Sequence, residues 1–154
     1  MNFSKTRCVE LSIIDAIETA VNASWTGVTT VKAFAQAYAV KVPVLCVRML
    51  SIDSKRREIG GNTLYQEFSF IIDIFAKSDG QRIDLEDFIV NTIKNGFTYY
   101  QYSRDSGQTE TLSKTANGRI QWLRIDSDNR IDSGSSEDEH ERYRQSITFT
   151  VTKG

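Results

Sequence analysis

The sequence predicts an α+β fold: a mostly antiparallel β-sheet packed against two α-helices, with a long β-hairpin. Three observations lead there. Residues 64–76, "LYQEFSFIIDIFA", alternate with period two over their whole length. Residues 142–154, "RYRQSITFTVTKG", alternate as cleanly, with Tyr143, Ile147, Phe149 and Val151 on one side. Only two segments, 8–24 and 84–95, carry apolar residues at helical spacing. Neighbouring strands with few helices between them form a sheet covered by helices on one face, rather than a parallel α/β stack.

Taken in order, "CVELSIIDAIETAVNAS" (8–24) places Leu11, Ile14, Ile17 and Val21 on one stripe, widened by Ile13 and Ala20. That is an amphipathic helix. "VTTVKAF" (28–34) reads as a short strand, and residues 35–42 fit no single period. Pro43, the only proline, precedes the apolar run "VLCVRML". Proline is tolerated at the start of a strand and not within one, so a strand begins there. The polar connection "SIDSKRREIGGN" (51–62) has a Gly-Gly turn signal. It makes the two flanking strands a long antiparallel hairpin with a mobile tip.

In the second strand Phe68, Phe70, Ile72 and Ile74 share the apolar parity and should face the core. Phe70 and Ile72 are expected against Ile14, Ile17, Phe88 and Ile89. Glu67 and Asp73 fall on the other parity, which should meet water or another subunit. They lie ~20 Å apart along an extended strand. That separation is too great for one metal or one substrate, and replacing both with alanine should cost little. Asp79-Gly80 reads as a turn, Asp84 as a helix N-cap and Asp87 as an acid at the third helical position, where it suits the dipole. Leu85, Phe88, Ile89 and Ile93 form the stripe of this helix, and Asn95-Gly96 ends it. "FTYYQYS" (97–103) is a strand. Asn117-Gly118 reads as a hairpin turn leading to the strand "RIQWLRI" (119–125).

The net charge of −1 conceals two opposed regions. Residues 126–141 read as an acidic loop with Asp126, Asp128, Asp132, Glu137, Asp138, Glu139 and Glu141 against Arg130, a balance of −6 that leaves +5 on the rest. At the expected hairpin tip, Lys55, Arg56 and Arg57 form a basic knot. Such asymmetry suits head-to-tail contact between copies or docking on charged partners. The knot is too short and too poor in aromatics for a nucleic-acid site.

Motifs of catalysis are absent from the sequence. It has no glycine-rich phosphate loop and no nucleophile elbow. His140, the only histidine, sits among acids that are consecutive in sequence and poorly placed to converge on one ion. Cys8 and Cys46 have neither metal spacing nor a disulfide framework and read as inert thiols in a reducing compartment. Trp25 and Trp122 read as core or interface anchors. No catalytic residue, metal ligand or cofactor is expected. "MNFSKTRCVE" lacks the apolar region of a leader, and there is no 18-residue apolar run to span a membrane.

An amphipathic N-terminal helix, then "VPVLCVRML", a polar hairpin connection, "EFSFIIDIFAKS", "DLEDFIVNTI", a variable region and a closing "ERYRQSITFTV" give an order that resembles a known family. It is that of the tail terminator (tail completion) proteins of long-tailed bacteriophages, of the lambda minor tail protein U type. The resemblance is one of order, length and pattern over nearly all of residues 1–154, read as one domain. It implies a structural virion protein of the tail or neck, assembled in the host cytoplasm. Such a protein forms a homo-oligomeric ring, a hexamer, that caps the tail tube and ends its polymerisation. Its implied partners are the major tail tube protein and the head-tail connector, with DNA passing through the lumen. Head-tail joining proteins share much of the pattern. A small metal-dependent nuclease built on Glu67 and Asp73 is the enzyme alternative, and it lacks a nearby Glu-x-Lys partner. On this reading Lys55, Arg56 and Arg57 would touch a neighbouring subunit or the tail tube. The acidic loop matches no family feature and is expected to line the lumen or to dock on a basic partner.

Overall fold

The computed structural model of the chain describes residues 2–57, 59–61, 64–104, 112–131 and 138–153. Its elements are α1 (Lys5–Ser24), β1 (Thr29–Val31), α2 (Phe34–Ala39), β2 (Val44–Arg56), β3 (Leu64–Phe75), α3 (Asp79–Lys94), β4 (Phe97–Arg104), β5 (Leu112–Ile131), α4 (Glu139–Arg142) and β6 (Arg144–Thr152). The strands form one six-stranded sheet in the order β1-β2-β3-β6-β5-β4. Every pairing is antiparallel except β1 with β2. The α+β class and the long hairpin hold, with two short helices beyond the two expected. Among the described residues no helix is long and apolar enough to cross a membrane.

The main core lies between the sheet and the pair α1 and α3. Phe68, Phe70, Ile72 and Ile74 are fully buried on the parity predicted for them. They join Ile13, Ile14 and Ile17 of α1, Leu85 and Ile89 of α3, and Ile147, Phe149 and Val151 of β6. Phe88 is half-buried against the same cluster. A second, smaller cluster sits on the opposite face at the β1–β2 end. There α2 brings Ala37 and Phe34 over Val44, Cys46 and Phe75. The expected strand 28–34 ends at Val31, and Phe34 with the first five residues of the ambiguous stretch 35–42 forms α2, a short helix that closes one corner of the second face.

Several expected boundaries move. Ser4 caps α1 by accepting the Arg7 N–H, so the helix begins at Lys5 rather than Cys8. Asp79-Gly80 is the first turn of α3 and not a separate turn. Ser78 Oγ accepts the Gln81 N–H, and Gln81 Oε1 reaches back to the Lys77 N–H. This is the Ser-x-x-Gln form of a capping box, shifted back by one residue on its return bond. Asp84 is consequently an exposed residue inside the helix and caps nothing. Asn95-Gly96 ends α3 as expected, with Gly96 at φ +71°.

Asn117-Gly118 is not a hairpin turn. It lies inside β5, where two residues stand opposite the single Tyr99 of β4, between the pairs Thr98↔Arg119 and Tyr100↔Ala116. Gly118 adopts φ +98°, the left-handed glycine of a bulge. The same dipeptide that starts a hairpin supplies a bulge when strand-forming residues continue on both sides. β5 then pairs with β4 through residues 112–120 and with β6 through residues 121–131.

Candidate assembly surface

The β2–β3 hairpin is longer than the sequence suggests. β6 stops at Thr152, opposite Glu67, but β2 and β3 continue through Ser54↔Gln66, Lys55↔Tyr65 and Arg56↔Leu64. Beyond Glu67 the hairpin is therefore a two-stranded arm. Lys55 and Arg56 are strand residues and Arg57 begins the bend, so all three predicted contact residues gather at its end. Glu58, Asn62 and Thr63 lie outside the described residues. Lys55 Nζ is 3.6 Å from Asp53, with both side chains solvated. The arm is also apolar where it meets water. Leu50 and Leu64 are each 49% exposed, Ile52 is 41% exposed, and Ile59 is fully exposed.

The acidic region 126–141 is not a single loop. Asp126 and Asp128 belong to β5. Asp126 accepts the Thr150 hydroxyl at 2.6 Å and Arg124 Nε at 2.8 Å, while Arg124 also reaches Glu67 at 3.3 Å. Asp128 accepts Gln145 Nε2 at 2.6 Å. Asp132 and Glu137 fall outside the described residues. Asp138 caps the short α4 by accepting the His140 N–H at 2.9 Å, which holds its carboxyl below the usual range. Glu139 is exposed. Glu141 pairs with Arg144 at 3.2 Å and accepts the Tyr38 hydroxyl. Burial first, and then that bond, push Tyr38 up to about 12. The ends of the acidic segment are thus built into the sheet and into the α2–α4 corner.

Asp73 corrects the expectation that it meets water or another subunit and can be replaced at little cost. Its parity is the predicted one, but that face is closed at this corner by α2, and Asp73 is only 2% exposed. Arg144 stands 3.4 Å from one carboxylate oxygen and Arg48 3.7 Å from the other. Burial pushes the carboxyl up, against the opposing pull of Arg144 and Arg48. Arg144 also lies over the rings of Phe75 and Phe34, and Arg48 over Phe34. Glu67 is paired instead with Arg124, on another part of the sheet. The two carboxylates do not meet.

His140 is buried rather than looped out. Its Nε2 faces the Val40 carbonyl oxygen at 2.6 Å, and its ring lies beside Tyr38 and Phe75. It fastens α4 to the segment after α2. Among the described residues no three His, Cys, Asp or Glu side chains are grouped as a metal site requires. A groove of about 460 Å³ runs between α1 and the β4–β5 ribbon, with Asp15, Lys114 and Arg119 on its walls.

Sequence reasoning missed the residues that close one end of the sheet. Ser12 Oγ accepts the Tyr100 N–H at 3.0 Å, and Cys8 Sγ receives the Tyr102 N–H at 3.4 Å. Phe3 donates its N–H to the Tyr102 carbonyl at 2.9 Å. The available signal was a serine, Ser12, within the buried stripe of an amphipathic helix. A polar group there needs a partner. Trp25 packs edge-on against Phe88 at 6.1 Å, whereas Trp122 is 37% exposed on β5. In comparisons with known proteins, no family model matches the chain and no curated protein matches it.

Proposed function

We propose that this chain is a ring-forming structural component of a phage virion, a tail terminator that caps the tail tube and ends its polymerisation. The ring also presents a face to the head connector and lets DNA pass through its lumen. The reading carries its partners with it: further copies of the chain, six in a closed ring, together with the tail tube protein and the connector. It places the protein in the tail or neck of the virion, after assembly in the host cytoplasm. No step of it is catalytic.

The observation that supports it best is the arm. A two-stranded ribbon is marginal in water by itself. This one leaves the sheet with Leu64 and Ile59 in solvent and three cations at its end, and Leu50 and Ile52 are exposed on β2 at its base. Exposed apolar surface rimmed by charge is what a contact between proteins uses. The sequence order from the N-terminal helix to "ERYRQSITFTV" supports the same reading through its resemblance to the terminator family.

Two measurements test it. Light scattering should find a multimer whose mass is stable over a wide concentration range. Added to polymerising tail tube protein, that multimer should stop elongation and appear as a ring at one end of each tube in electron micrographs. A concentration-independent monomer that leaves elongation unchanged sinks the proposal. A ring that binds finished tails yet never limits their length would point instead to a head-tail joining protein.

A further inference from the structure

We infer that the outer edge of β2, through Ile52 and Ser54, is a strand-addition site for a second copy of this chain. The inference rests on the ring reading above and gives that ring a specific contact. A sheet has two edges, and an open one is a ready template for another strand. Here the two are treated differently. The β4 edge is closed from within: α1 spends Ser12 and Cys8 on its amides, and Asn2 and Phe3 bridge its Ser103 end. At the other edge β1 pairs with β2 only at Val44, Leu45 and Cys46. β1 ends at Val31, opposite Cys46, so among the described residues no strand pairs with the outer side of β2 from Met49 to Arg56.

The register says which amides are open. Thr29 donates to the Pro43 carbonyl, so residue 43 points outward toward β1. Alternation then turns Leu45, Val47 and Met49 outward as well. The bulge between Met49 and Ser51 adds Leu50 to β2 and shifts the phase by one. Past it, Ile52, Ser54 and Arg56 point outward, while Ser51, Asp53 and Lys55 face β3. The outward set lies where the strand is solvated and where Leu50 and Ile52 are exposed.

A bulge and cations are also the devices by which natural edges discourage indiscriminate pairing. An edge so guarded selects its partner by charge. Lys55, Arg56 and Arg57 call for an acidic surface, and the chain carries its own acid excess at 126–141. The β4 edge is closed, but β4 pairs with β5 only through residues 112–120, so among the described residues β5 at 121–131, which carries Asp126 and Asp128, has no strand on its outer side and can receive the arm of the next copy. The basic arm of one copy against the acidic side of the next is a heterologous contact, the kind that closes into a ring when its rotation allows.

Amide hydrogen exchange on the wild-type protein, dilute and assembled, tests the assignment. In the assembled form the amides of Ile52 and Ser54 should slow by roughly tenfold or more. Those of Ser51 and Asp53, already bonded to β3, should change little. Ser54→Pro removes an outward donor at a position where the fold tolerates proline, and Ser54→Thr is its control. The proline variant should keep its melting temperature within a few degrees and need roughly tenfold more protein to assemble. If Ser54→Pro does not fold, Arg56→Glu takes its place and should weaken assembly by opposing the acidic side. Assembly with unchanged exchange at Ile52 and Ser54 overturns the strand-addition site and leaves the ring reading standing. A wild-type protein that never assembles and never stops tube growth overturns both.

Discussion

The Glu86 carboxyl on α3 faces the Asp128 carboxyl on β5. Two carboxylates make a hydrogen bond only when they share a proton. A hydrogen bond with Asp128, followed by burial and the charge of Asp128, pushes Glu86 up to about 7. Asp128 is held in place by Gln145, which also takes a bond from Arg82 of α3. The pair therefore links the helix layer to the long strand, through one of the acids that the sequence places in a loop.

Stability should consequently depend on pH with a definite sign. In the unfolded chain Glu86 ionises near 4.5, and in the fold near 7. A raised folded value means that the native state holds the proton more tightly, so this contribution is complete below pH 4.5 and lost as the pH rises through about 7. Glu86→Gln keeps a donor for Asp128 at every pH. The variant should gain on the wild type in melting temperature between pH 5 and pH 8. A difference that stays flat across that window means the two groups do not share a proton.

Phe70 is fully buried and stacks on Phe149 of β6 at 5.6 Å. Phe70→Ala should cost ~3–5 kcal/mol by denaturant unfolding, the range for a buried phenylalanine. Glu67→Ala, which removes only a pairing with the half-exposed Arg124, should cost under about 1 kcal/mol. Equal costs for the two would mean that the faces of β3 have been exchanged.

Asp73 separates the sequence reading from the structure most sharply. Alternation gives its parity but not what covers it, because the six-residue α2 carries too short a pattern to be read. Asp73→Ala leaves Arg144 and Arg48 facing a buried gap and should cost ~3 kcal/mol, as for one half of a buried ion pair. Asp73→Asn, which retains a polar side chain of the same size, should cost less. A shift for Asp73→Ala as small as that of Glu67→Ala would show the corner to be open to water.

What the sequence made legible was whatever repeats. β3, β6 and the stripe of α1 each carry several periods, and the structure follows them. Signals one or two residues long were ambiguous because their meaning depends on neighbours distant in sequence. Ser78 and Gln81 cap α3 only because Asp79-Gly80 does not turn away. Asn117-Gly118 makes a bulge because β4 pairs on both sides of it. The charged segments were legible as composition alone. Lys55, Arg56 and Arg57 were rightly grouped but sit on an arm of two strands, and Asp126 and Asp128 proved to be sheet residues with Thr150 and Gln145 as partners.

Two glycines should respond oppositely to alanine. At Gly96, φ is +71° and an added Cβ would lie 3.0 Å from the Ile120 carbonyl oxygen, so Gly96→Ala should destabilise by ~1–2 kcal/mol. At Gly80, inside the first turn of α3, an added Cβ meets nothing within 4 Å. Gly80→Ala should be neutral or stabilising by up to ~0.5 kcal/mol, since alanine loses less entropy in a helix. Thermal melts of the two variants check both signs.

The opposed charges should govern assembly rather than folding. Replacing Lys55, Arg56 and Arg57 with serine should leave the fold intact, because their side chains are solvated and exposed charges contribute little to stability. Assembly should weaken, and wild-type assembly should weaken as salt rises, because the attraction is screened over about 10 Å at 0.1 M. The acids divide by position. Asp126→Asn touches bonds within the sheet and should lower the melting temperature. Glu139→Gln touches a solvated position and should not. If the proposed virion role holds, neutralising Asp132, Glu137 and Glu139 together reports on what the acid excess does there. If it lines a lumen, its charge keeps the phosphate backbone from binding, since counterion release would otherwise favour that contact. Tails would then join heads normally and eject DNA slowly. If it docks on a basic partner, free tails and unjoined heads would accumulate. Normal joining with normal ejection would remove both roles.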